Sequence, residues 1–166
     1  MNLKTIHNVY FIGIGGVGMS ALAKYFVALG KNVGGYDKVS SAITESLLEL
    51  GIDIQFETTV NQIDESFINP STTLVVFTPA ISKSNVIFQY FETHNFKILK
   101  RSEVLGLVTE LTQCLAVAGT HGKTTTSSIL GHLMYECNEK VTAFIGGITE
   151  NYQSNLIQNG TEISVV

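Results

Sequence analysis

Cysteine is scarce in this chain of 166 residues: Cys114 and Cys137 are the only two. They form no close-spaced pair and no zinc-ligand pattern, which excludes a cysteine-built metal site. Each lies beside an apolar segment, so both are expected as free thiols in a core. No apolar run approaches the roughly 20 residues needed to span a bilayer, so membrane insertion is not expected. Residues 1–7 hold no apolar helix with a small-residue cleavage site, so no secretory signal is read there. Positive charge is not in excess either. The net charge is −4, which gives no bulk attraction for nucleic acid and leaves any phosphate contact to local groups. Internal repeats and low-complexity segments are absent. A cytoplasmic location fits these absences.

What is present is a 45% apolar composition, enough for a substantial core, and two glycine-rich segments. Strand patterns at 9–14, 32–36, 53–56, 73–77 and 97–99 alternate with helical patterns at 19–29, 42–50, 86–94 and 102–111. This alternation predicts an α/β, Rossmann-like, doubly wound parallel sheet over residues 1–111. A second unit starts near Gln113: a strand at 114–118, a glycine loop, a helix at 124–137 and a strand at 141–145. A polar stretch at 151–161 follows, then a buried-strand pattern at 163–166. Residues 112–166 are too few to close a nucleotide-binding core. They are expected to be the truncated start of a P-loop ATPase-type α/β domain, cut from a longer protein.

The first glycine segment, Gly13-Ile14-Gly15-Gly16-Val17-Gly18, follows a strand and opens a helix. That context places backbone N–H groups where a phosphate binds. A side chain at Gly15 is expected to block the approach of a diphosphate. Asp37 closes the second strand, where a ribose-binding carboxylate normally sits. By itself the pattern fits a dinucleotide such as NAD, a nucleotide-sensing module, or a tight turn that only packs helix on strand.

The second segment is Gly119-Thr120-His121-Gly122-Lys123-Thr124-Thr125. The strict triphosphate loop sets its two glycines five residues apart. Here Gly119 is three residues before Gly122, and Val117 stands where the strict loop has glycine. It reads as a shortened relative of that loop. Lys123 would meet the β- and γ-phosphates of ATP, and Thr124 would offer its hydroxyl to Mg²⁺. His121 is a loop residue near phosphate. His7, His94 and His132 show no metal spacing.

Taken together, these segments resemble the Mur ligases of bacterial cell-wall synthesis. The resemblance rests on Gly13–Ser20 (GIGGVGMS) and on Ala118–Thr125 (AGTHGKTT). It is carried further by Thr78-Pro79-Ala80-Ile81 with Asn85, by Arg101-Ser102-Glu103-Val104-Leu105 and by Phe144-Ile145-Gly146-Gly147. It covers the chain from end to end and is greatest for the branch that adds L-alanine, with the murein-peptide ligases as the alternative. It implies ATP-dependent amide formation in peptidoglycan synthesis through an acyl phosphate, with Lys123 and Thr124 catalytic. The UDP-N-acetylmuramate site would comprise Gly13, Gly15, Gly16, Val17, Gly18, Met19, Ser20, Asp37, Thr78, Pro79, Ala80, Ile81 and Asn85. Pro79 stands where Ser is frequent in the family. The family's magnesium-binding glutamate and its L-alanine-binding domain lie outside the sequence, so this chain is expected to bind the UDP-sugar without completing catalysis.

Overall fold

The segment Asn8–Ile12 (NVYFI) is apolar without interruption because the strand it forms, β1, is buried on both faces. In the computed structural model, which describes residues 5–166, β1 is the centre of a five-stranded sheet. Residues 1–4, part of the start read above as lacking a signal, lie outside the described residues. Helix α1 (Val17–Ala28), strand β2 (Asn32–Tyr36), helix α2 (Ala42–Glu49) and strand β3 (Asp53–Gln55) follow. A short 3₁₀ turn at Glu65–Phe67 leads to β4 (Thr73–Phe77), α3 (Val86–Thr93), β5 (Lys97–Lys100) and α4 (Arg101–Thr109). The strand order is β3-β2-β1-β4-β5 and every pair is parallel. This is the α/β doubly wound sheet expected from the alternation of strand and helix patterns.

The alternation of side chains along β1 sorts two cores. Tyr10 and Ile12 join Val75, Phe67, Ile87 and Phe91 under α3 and the 3₁₀ turn. Phe11 faces the other way, against Phe26 of α1. Tyr10 meets the rings of Phe67 and Phe91 at centroid distances of 5.4 and 5.1 Å, and its hydroxyl donates to Gln55 at 2.9 Å. The helix boundaries have local causes. In α2, Ser41 and Thr44 form a reciprocal capping box. In α3, the Asn85 carboxamide oxygen accepts from the amides of Ile87 and Phe88 at 3.0 and 3.1 Å.

The chain divides into two compact units, Met1–Val104 and Leu105–Val166. The second holds β6 (Gln113–Leu115), α5 (Lys123–Glu136), β7 (Val141–Thr149), β8 (Ser154–Gln158) and β9 (Ile163–Val165). Its sheet order is β6-β9-β7-β8, with β9 parallel to both β6 and β7, and β8 antiparallel to β7. The core comprises Val141, Ala143, Ile145, Ile157 and Val165, covered by Leu130 and Met134 of α5.

Two expectations need correction. Residues 154–158, within the expected polar stretch, form strand β8, where Asn155 and Ile157 face inward. One of the two inward residues is polar, so the alternation carries little hydrophobic signal. Cys114 and Cys137 are both exposed. Cys114 sits on β6, an edge strand, and Cys137 ends α5, so their apolar neighbours in sequence do not cover them. Among the described residues, no helix is long and apolar enough to cross a membrane.

Candidate functional site

In the first unit the chain leaves β1 toward β2 on one side and later returns to β4 on the other. The carboxyl ends of β1 and β4 therefore flank a topological switch point, where open α/β sheets hold ligands. A cavity of about 430 Å³ opens there. Gly13, Gly16, Val17, Gly18 and Met19 line it from the first glycine loop. Asp37 lines it from the end of β2, and Thr78, Ala80 and Ile81 from the end of β4. Thr78–Ile81 is a tight turn, with the Ile81 amide donating to the Thr78 carbonyl at 3.0 Å. The turn lies on the loop, since a Cβ on Gly13 would come 3.0 Å from Thr78 Cγ2.

The loop is tied to β2. The amides of Gly13 and Ile14 donate to the Tyr36 carbonyl at 2.7 and 3.1 Å. The Gly15 amide donates to Asp37 Oδ2 at 2.7 Å, and Asp37 Oδ1 accepts from Val39 at 3.2 Å. Asp37 thus holds the loop in place while lining the cavity. Gly16, the residue before α1, carries no side-chain cap, and the Met19 amide donates to the Gly16 carbonyl at 3.0 Å, which leaves the Gly18 amide without an intrahelical acceptor at the cavity wall.

Four sequence-predicted residues lie off the lining. A Cβ on Gly15 would meet Asp37 Oδ2 at 2.8 Å and Thr44 Cγ2 at 2.9 Å. The expectation that a side chain there blocks the diphosphate path is therefore corrected: it would strike Asp37, just after β2, and Thr44 of α2. Ser20 is fully buried in α1, its hydroxyl donating to the Val17 carbonyl at 3.0 Å. Pro79 faces a separate groove beside Phe77 and Phe88, and Asn85 caps α3. Two lining residues are additional, Lys38 and Arg101. Arg101 stands at the start of the R-x-E-x-L segment, which reads as a helix start and gives no sign of a cation at the loop.

In the second unit, the loop Gly119–Thr125 joins β6 to α5. Gly122, the residue before α5, has φ +78° and carries no cap, a conformation that favours glycine. The amides that open α5 are therefore offered to an anion. The Lys123 ammonium folds over the loop and donates to the Gly119 carbonyl at 2.7 Å. A Cβ on Gly146 would lie 3.0 Å from Thr124 Oγ1, so the Gly146-Gly147 pair leaves room for the threonine hydroxyl. Thr120, His121 and Thr125 are exposed around it. β9 runs alongside, with the Val117 amide donating to the Val166 carbonyl at 2.7 Å.

These features suit a triphosphate: open amides, one lysine, and a hydroxyl for Mg²⁺. Among the described residues no group of three His, Cys, Asp or Glu side chains could hold a metal alone, so Thr124 offers a single oxygen. A cavity of about 580 Å³ lies between α5 and the β7–β8 hairpin, lined among others by Thr124, Thr125, His132, Glu150 and Tyr152. Tyr152 OH and His132 Nδ1 are 2.8 Å apart. Burial, and then the charges of Glu136 and Tyr135, raise the Tyr152 phenol above its ordinary range. On the hairpin side of this cavity only Ile145 and Gly147 belong to a segment the sequence singled out; Ile148, Thr149, Glu150, Asn151 and Tyr152 had no signal in the sequence.

The family model "Mur ligase family, catalytic domain" matches residues 8–112. A UDP-N-acetylmuramate–L-alanine ligase from Flavobacterium psychrophilum is 58% identical over the whole chain, which spans 37% of that relative's length. A crystal structure of a UDP-N-acetylmuramate–alanine ligase from Thermotoga maritima superposes with a TM-score of 0.83 at 28% identity. It matches 95% of this chain, which covers 36% of that structure. A UDP-N-acetylmuramate:L-alanyl-gamma-D-glutamyl-meso-diaminopimelate ligase from Neisseria meningitides shares the fold. Its TM-score is 0.81 at 24% identity, with 96% of this chain and 52% of that one covered. A switch-point cavity under a GIGGVG loop, a GTHGKTT loop opening α5, and a family match over most of the chain agree: the chain belongs to the Mur ligase family.

Proposed function

We propose that this sequence works in the ATP-dependent joining of L-alanine to UDP-N-acetylmuramate. Residues 1–111 would form the sugar-nucleotide domain and residues 112–166 part of the ATP-binding domain. The observation that carries the reading is the whole-chain 58% identity to a ligase of that name, supported by the cavity at the glycine loop. A carboxylate is a poor acylating agent. The reaction therefore makes the lactyl carboxylate an acyl phosphate, from which the amine of L-alanine displaces phosphate to leave an amide. Mg²⁺, when bound, neutralises charge on the transferring phosphoryl group.

The chain's own residues supply binding and orientation. The backbone amides at the start of α1 would hold the diphosphate, and Asp37 would keep the loop in shape for it. The Thr78–Ile81 turn would close the other wall of the crevice. At the second loop the amides opening α5 and Lys123 would hold the β- and γ-phosphates, and Thr124 would share the metal. L-alanine would be received by parts of the family's fold beyond this sequence. Titrating the chain with UDP-N-acetylmuramate and with NAD by calorimetry tests the first site. Saturable binding of the UDP-sugar, tighter than of NAD, is expected. Tighter binding of NAD overturns the reading in favour of an oxidoreductase-type site.

A further inference from the structure

We propose that Arg101, seconded by Lys38, is the cationic clamp for the substrate's diphosphate, and that Gly18 lacks a side chain in order to seat it. This rests on the sugar-nucleotide reading of the first cavity. The crevice has a glycine-loop wall and a wall from the ends of β4 and β5, and Arg101 belongs to the second, just after β5. Its side chain crosses to the loop. A Cβ on Gly18 would lie 3.0 Å from both Arg101 Cδ and a terminal guanidinium nitrogen, and 3.2 Å from Nε. The guanidinium therefore lies against the first turn of α1, beside the Gly18 amide, which has no intrahelical acceptor.

The charge there is not cancelled. Among the described residues, neither Arg101 nor Lys38 reaches a carboxylate at salt-bridge distance. The nearest acid on α4, Glu103, accepts instead from the Lys100 amide at 2.7 Å. Asp37 is the one carboxylate on the cavity wall, and its two oxygens already accept from Gly15 and Val39. The wall thus presents two cations against one engaged carboxylate, together with the partial positive charge of a helix start. A dianionic diphosphate matches that balance. A planar guanidinium can bridge oxygens of adjacent phosphates where a lysine supplies only a point charge. In the dinucleotide fingerprint the third glycine serves close packing of helix on strand. Here the space at Gly18 is filled by a functional side chain.

The test compares UDP with uridine in calorimetric titrations of the full chain, wild type, Arg101→Met, Arg101→Lys and Gly18→Ala. Methionine keeps a flexible stem over Gly18 and removes the charge. Wild type is expected to prefer UDP. Arg101→Met should weaken UDP binding by about tenfold or more and leave uridine binding unchanged, as loss of a charge-assisted bond requires. The salt dependence of UDP binding should become shallower in the same variant. Arg101→Lys should keep part of the preference, which separates lost charge from lost fold. Gly18→Ala, which pushes the guanidinium off its seat, should reduce the preference with Arg101 still present. If wild type shows no preference for UDP, the sugar-nucleotide reading itself fails. If wild type prefers UDP and Arg101→Met keeps the same ratio, the site stands and the clamp is overturned.

Discussion

Gly15→Ala isolates the contact that ties the first glycine loop to β2. Gly15 is not among the glycines with positive φ, so alanine fits the backbone torsion and the cost is steric. The new Cβ would sit 2.8 Å from Asp37 Oδ2 and 2.9 Å from Thr44 Cγ2. Neither neighbour yields freely. Asp37 Oδ2 accepts the Gly15 amide at 2.7 Å, and Thr44 is fully buried, its hydroxyl accepting the Ser41 amide at 2.8 Å in the capping box of α2. Disturbing the charge-assisted bond costs about 1.5 kcal/mol, and displacing Thr44 adds about 1 kcal/mol. The first unit should therefore lose roughly 2–3 kcal/mol. Thr44→Ser removes the clashing methyl and keeps the hydroxyl of the box. The double variant should recover about 0.5 kcal/mol or more relative to additivity. Native-state hydrogen exchange of the β1 and β2 amides reads the first unit without assuming that both units unfold together. A change below about 0.5 kcal/mol for Gly15→Ala, or strict additivity with Thr44→Ser, refutes the steric account.

Asn85→Ala should cost about 1 kcal/mol through loss of the α3 cap and leave UDP-sugar affinity unchanged, read by denaturant melts and calorimetry on one preparation. Lys123→Ala, placed in a full-length ligase carrying this sequence, should cut turnover by about 100-fold or more with little change in UDP-sugar binding; near-normal phosphate release would show that the second loop is not catalytic. Tyr10 gives an alkaline signature, because burial, reinforced by Asp53 and Tyr36, pushes its phenol well above the ordinary range. The unfolded chain releases that proton near pH 10 while the folded chain keeps it. The stabilisation is therefore complete below about pH 10 and is lost as pH rises beyond it. Urea melts between about pH 9 and 11 should show the fall, less steep in Tyr10→Phe.

Much of the outcome is local in origin and was legible in the sequence. The uninterrupted apolar run of β1 and the β-branched run of β4 signal strands buried on both faces, and their alternation with helical spacing implies the parallel sheet. The two glycine loops are legible as turns from strand into helix because strand, glycines and helix follow one another within a few residues. What depended on distant parts of the chain was not legible. Asp37 looks like a ribose ligand by position, yet only the packing of β2 beside β1 brings its oxygen to the Gly15 amide. Ser20 and Asn85 lie in motif segments, but the burial of α1 and the start of α3 absorb their polar groups. Strand β8 takes its place from pairing with β7, which its polar composition does not reveal. Arg101 lies 83 positions after Gly18 in the chain, and only the parallel crossover through β4 and β5 lays its guanidinium on the first turn of α1. Periodicity and turn chemistry act over a few residues, so the sequence by itself determined the elements and the loops. Which polar groups spend themselves on the fold, and which remain to meet a ligand, was decided by the tertiary structure, because that depends on contacts between segments far apart in the chain.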